Sequence, residues 1–272
     1  MNANRFLLGK MLVITSLIIA TTARVDARDL RSDRMNATTD RSRTYQRLRG
    51  GSGTFDQSVT RTPGSTNGST TWTNAQGGTG DHTFANTWNR STGTGTHDSS
   101  TTYANGKTSS SQGTWAKTGT GTADYTGTHT GVNGQTTDVS KSVSDTNGVK
   151  TIDSTYTNPT TGKSSTVDKT ISGGQVDTTA TGPNGKTTTS DQTYTKTGDG
   201  YTQTGTVTGP NGKTGTDNRD VSYTKDANGE TTRTATGSIT GPNGTTKPFG
   251  NTETYTKTVT PNTAPPTTPP VD

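Results

Sequence analysis

From residue 252 to residue 260 every even position is Thr, and the positions between are Glu253, Tyr255, Lys257 and Val259. A period of two puts one chemistry on one side of an extended chain and a different chemistry on the other. Residues 201–208 repeat the pattern, with Thr202, Thr204, Thr206 and Thr208 set against Tyr201, Gln203, Gly205 and Val207. Thr is β-branched, so its intrinsic preference agrees with a pleated strand. Beyond an apolar leader no stretch shows convincing apolar spacing at 3.6 residues. The expectation is strand almost throughout.

The strands are punctuated by corners. Thr181-Gly-Pro-Asn-Gly-Lys186 recurs at 208–213 and, ending in Thr, at 240–245; looser copies stand at 130–135 and 103–107. A Thr-aromatic motif alternates with these corners, at Trp72, Trp88, Tyr103, Trp115, Tyr156, Tyr194, Tyr223 and Tyr255. The repeating unit is therefore near 30 residues, read as two strands and two turns. Asn-Gly is a strong hairpin signal, and the expected corner is a type I′ turn, because both residues tolerate positive φ.

Composition limits what these strands can build. The chain of 272 residues holds 70 Thr and 35 Gly, and only 21% of it is hydrophobic. So little Leu, Ile, Val and Phe makes a deep globular core hard to form. Low hydrophobicity favours disorder, whereas low net charge and strict patterning favour order. The fold class expected is all-β: an extended Thr/Gly-rich antiparallel hairpin repeat, meander or solenoid-like, with a thin core and disordered termini.

The formal net charge of +5 is unevenly placed. Residues 1–50 carry ten Lys and Arg against four Asp, and the remainder carries sixteen against seventeen. The body therefore has no net field to steer a polyanion, and specific nucleic-acid binding is not expected. Arg5 and Lys10 precede a short apolar run, 11–20, and Val25-Asp26-Ala27 offers a small-x-small exit. That is a signal-peptide layout, too short to span a bilayer. The divisions expected are a signal peptide at 1–27, an Arg-rich flexible arm at 28–52, the repeat region at 53–260 and a Pro/Thr-rich tail at 261–272. An exported protein follows, extracellular, on a cell surface or periplasmic, with no transmembrane segment in the mature chain.

Catalytic patterns are missing. Gly-Lys-Thr at 106–108, 185–187 and 212–214 lacks the earlier Gly of a phosphate-binding loop, since Thr101, Ala180 and Val207 stand there. There is no Cys, and His82, His97 and His129 form no close pair. Asp81-His82 and His97-Asp98 would become metal ligands only if their hairpins met in space. No cofactor, metal or catalytic residue is expected, and the chain is read as non-enzymatic.

Trp72, Trp88, Tyr103 and Trp115 are the candidate ligand-stacking residues, because flat apolar rings cover sugar faces; the competing reading makes them the thin core itself. The function expected is a structural or adhesive component of a cell surface, appendage or matrix. Self-association through exposed sheet edges and contact with a polysaccharide or envelope polymer are the expected partnerships. The alternative is a carbohydrate-binding module built on the Trp-bearing hairpins. The Thr-x-Thr-x-Thr stripe resembles that of ice-binding solenoids, which implies, as a lesser reading, a hydroxyl and methyl array presented to ice.

Overall fold

A computed structural model describes residues 37–47 and 52–261. Within them lie sixteen strands and no helix. In chain order they are β1 (Ala37–Arg47), β2 (Ser52–Thr62), β3 (Ser65–Thr73), β4 (Thr79–Asn89), β5 (Thr94–Thr102), β6 (Thr108–Gly119), β7 (Thr122–Thr130) and β8 (Thr136–Thr146). The second half comprises β9 (Val149–Thr157), β10 (Ser164–Ser172), β11 (Gln175–Thr181), β12 (Thr187–Lys196), β13 (Gly200–Thr208), β14 (Thr214–Lys225), β15 (Thr231–Thr240) and β16 (Thr246–Pro261). The expected signal peptide and Pro/Thr-rich tail lie outside the described residues, apart from Pro261.

Each strand pairs antiparallel with its sequence neighbours, so the meander reading holds and the solenoid variant does not. The ends then meet: β1 pairs antiparallel with β16 from Ala37↔Pro261 to Arg47↔Asn251, closing an up-and-down barrel. Two expectations change here. Residues 37–47, assigned to the flexible arm, form the closing strand, because Thr38, Asp40, Ser42 and Thr44 continue the period-two hydroxyl–Asp side that β2 and β16 present. The sixteen strands also leave no unpaired edge, so edge-to-edge self-association has no free edge to use.

The two ends of the barrel differ in their connections. At one end β2–β3, β6–β7, β8–β9 and β10–β11 turn through two residues. At the other, β3–β4, β5–β6, β7–β8, β11–β12, β13–β14 and β15–β16 turn through five. The Gly-Pro-Asn-Gly-Lys sequences make this second rim. In the loop of residues 182–186, the Gly182 N–H donates to the Lys186 carbonyl at 2.9 Å and the Gly185 N–H to the Gly182 carbonyl at 2.9 Å. The Asn184 Oδ1 accepts the Lys186 N–H at 3.2 Å. Only the Gly takes positive φ there, at 75°. These are type I turns followed by a left-handed Gly, not the type I′ turns expected. The type I′ geometry occurs at Asn147-Gly148, with φ of 53° and 79°.

Thr hydroxyls close the loops from outside. Thr208 and Thr214 meet at 3.1 Å, and Thr240 and Thr246 at 2.8 Å. The core is thin: Val59, Tyr125, Val139, Val221 and Ala235 are buried singly along the sheet.

Candidate functional site

Register carries the alternation coherently from strand to strand. Trp88, Gly95, Trp115, Tyr125, Lys141, Ser154, Val167, Ala180 and Thr188 are successive partners on β4 to β12. Following every register in the same way divides the sheet into two faces. One carries the aromatic rings together with Arg61, Lys117, Lys141, Lys150, Lys169, Lys196, Arg219, Lys225, Arg233 and Lys247, against Asp145, Asp217 and Glu253. The other carries Ser and Thr with Asp40, Asp56, Asp81, Asp98, Asp124, Asp138, Asp153, Asp168, Asp177, Asp191 and Asp220, and among the described side chains no Lys or Arg. A body that is neutral by count is thus cationic on one side and anionic on the other.

The residues buried in the sheet, from Ala37 and Thr39 through Tyr125 to Val221 and Ala235, all belong to the aromatic–basic face. In a closed sheet the concave side is where side chains converge and cover one another, so this face lines the lumen. The hydroxyl–aspartate face is the outer wall. A closed sheet of sixteen strands is of the size that in porins encloses a channel.

All four candidate stacking residues lie on the aromatic–basic face, half-buried, but they do not form one platform. Trp88 and Trp115 flank Gly95, partnered to both, toward the tight-turn end. Trp72 is the partner of Gly80, and Tyr103 follows Thr102, the partner of Asp81, so this second pair flanks Gly80 near the five-residue loops. The Tyr103 hydroxyl lies 3.3 Å from the Ser109 hydroxyl. The glycines between the rings are required: a Cβ on Gly95 would approach Trp88 Cε3 to 2.8 Å.

A tighter cluster surrounds Tyr125, which the sequence pattern does not single out. Its ring lies 4.9 Å from Trp115 and 6.5 Å from His97, and Lys141 Nζ sits 5.6 Å from its centre. Burial raises the Tyr125 phenol above its ordinary range, opposed by a hydrogen bond with Ser111. Burial lowers His97, reinforced by Lys141, with Asp98 acting the other way. Burial lowers Lys141, and Lys169 lowers it further. Lys169 is itself lowered by burial. The signal that could have found this cluster is the strand register, which a single sequence does not carry.

On the same face Gln203 donates to the Gln192 Oε1 at 2.7 Å and to Asp217 at 3.2 Å. Arg219 lies 5.3 Å from the centre of Phe249, and Arg233 pairs with Glu253 at 3.5 Å.

The metal idea does not assemble. His82 Nδ1 lies 2.9 Å from the Thr101 hydroxyl and His97 Nδ1 lies 2.8 Å from Asn86 Oδ1. Asp81 and Asp98 are their chain neighbours and therefore occupy the opposite face. Among the described residues no three His, Asp or Glu side chains group as metal ligands. On the outer wall the Thr stripes follow the curvature of a closed sheet, and a shallow open depression there is bordered by Asp177, Asp191, Thr204 and Thr206.

The class these features define is an antiparallel up-and-down barrel with charge-segregated faces. No protein-family model, curated protein or solved structure matches the chain. No helix of the described residues is long and apolar enough to cross a membrane.

Proposed function

We propose that this is an exported, non-enzymatic structural or adhesive component of a cell surface, appendage or matrix. The observation that carries the reading is the outer wall: hydroxyls recur on every strand from β1 to β5 and onward around the barrel, joined by Asp on β1, β2, β4 and β5, and among the described residues no singular spot marks a place for a small substrate. A surface of repeated hydroxyls suits many weak lateral contacts with a hydrated polymer. A lipid-facing wall would need an apolar band about 25 Å tall, and neither face offers one. That supports a place outside the bilayer interior. The basic, short-apolar, small-residue order of residues 1–27 supports export. Fractionation of the native host with an antibody to the barrel tests this; the protein is expected in the envelope or medium, and recovery with a cytosolic marker overturns it.

A second reading, a carbohydrate-binding module, is favoured by the two ring–glycine–ring arrangements, Trp88–Gly95–Trp115 and Trp72–Gly80–Tyr103. Trp88 rests against Gly95 and Trp72 against Gly80, and the uncovered part of each half-buried ring is where a sugar face would stack. Pull-down on insoluble polysaccharides should be lost in Trp72→Ala/Trp88→Ala with the strand spectrum unchanged; retained binding removes this reading.

A further inference from the structure

We propose that the lumen holds an acidic polysaccharide, with Trp115 stacking on a sugar ring and Lys141 and Lys169 taking carboxylates. The inference rests on the carbohydrate reading of the aromatic face and adds the charge of the sugar.

The first ground is an unbalanced pair of ammonium groups. Lys141 on β8 and Lys169 on β10 lie on the same face, one strand apart, with Ser154 and Ile152 of β9 as their partners. They are close enough to act on one another electrostatically. Among the described residues of β7 to β11, Asp145 is the one acid that shares their face. The nearest acid on that strand and face, Asp145, is four residues along and opposite Lys150. Two half-buried cations without an anion favour a ligand that brings one.

The second ground is the company they keep. Lys141 sits in one rung with Trp115 and Tyr125; the buried Tyr125 ring packs down over Gly113 and Gly127 and supports the half-buried Trp115 beside it. A half-buried ring with one cation two strands away and a second two strands beyond, on the same face, offers a sugar chain both a stacking surface and anion contacts. The third ground is complementarity: among the described side chains ten cations face three carboxylates on this wall, whereas the outer wall is anionic and would repel the same polymer.

The test uses the full chain and calorimetric titration with an oligogalacturonate of eight to ten sugars (a size chosen for roughly one barrel length at about 3.3 Å per strand residue). Its methyl ester and single-stranded oligothymidylate of matched charge serve as comparisons. The acid is expected to bind at least tenfold more tightly than the ester, with affinity falling as salt rises. Lys141→Gln/Lys169→Gln should lose at least tenfold for the acid and little for the ester. Equal binding of acid and ester overturns the charged-sugar assignment while sparing the carbohydrate reading, and no binding of either overturns both. Oligothymidylate binding as tightly as the acid, with the same lysine dependence, also overturns it, in favour of a general polyanion channel. The acid–ester comparison is made on the unaltered protein, so a variant that misfolds does not remove the test.

Discussion

The ring of Phe84 on β4 lies over Gly68, its register partner on β3. A Cβ at Gly68 would meet the Phe84 ring edge, at Cζ as well as Cε1, inside van der Waals contact, and the Ser58 carbonyl at 3.1 Å. Aromatic rings covering strand glycines are how this sheet makes apolar contact with so few apolar residues. Gly68→Ala should cost about 1–3 kcal/mol in denaturant unfolding, the range for overpacking. Gly68→Ala/Phe84→Ala should cost less than the sum of the single changes, because the clash disappears with the ring. Additive losses would show that the ring does not rest on Gly68.

The loop glycines make a separate prediction. Gly185 has φ of 75° with open space around its Cα, so Gly185→Ala meets strain alone and should cost about 1 kcal/mol. Asn184→Ala removes the acceptor for the Lys186 N–H and should cost less, about 0.5 kcal/mol for an exposed hydrogen bond. The order of the two melting temperatures checks the turn type: a type I′ corner would instead make the Asn position strained for Ala as well.

Stability should fall as the solution is acidified from pH 7.5 to 5.5. His82, His97 and His129 are all lowered from 6.5, in each case chiefly by burial. The unfolded chain therefore takes up protons before the folded one does. The stability is fully present above 6.5 and is lost as pH falls through the folded values. Asp217 is raised by burial and works in the opposite direction, but from the carboxylate range upward. Melting curves of His82→Gln/His97→Gln/His129→Gln should be nearly flat over this interval; an unchanged slope would place the effect elsewhere.

On the outer wall Asp153 faces Asp168 directly, and Asp177 faces Asp191. Like charges opposite one another on neighbouring strands destabilise a sheet. Asp168→Asn and Asp191→Asn should each stabilise by roughly a few tenths of a kcal/mol at low salt, with the gain vanishing near 1 M where screening is complete over about 3 Å. A gain that persists in high salt would count against a Coulombic origin.

Much of the fold is legible in residue order because its signals are local. Thr202 to Thr208 and Asn184-Gly185 dictate strand and corner through neighbours two residues away, and the strands fall where those patterns place them. Turn type was less legible, since Asn-Gly suits both a two-residue I′ turn and a longer loop ending in a left-handed Gly. The hydrogen bond from Gly182 to Lys186 decides between them. The stacking residues were legible by type but not by grouping. Whether Trp88 stands beside Trp72 or beside Trp115 depends on register with Gly95, a relation between separate strands.

Alone, the order of amino acids determined that each strand has a hydroxyl side and that on nearly every strand the opposite side is aromatic or basic, because alternation is a property of a single extended chain. Only the closed barrel decided that these sides join into one anionic outer wall and one cationic inner face, that Lys141 comes to lie over Tyr125, and that residues 37–47 belong to the sheet. Those outcomes depend on hydrogen-bonded register between strands, and for β1 and β16 the partners are separated by most of the length of the chain.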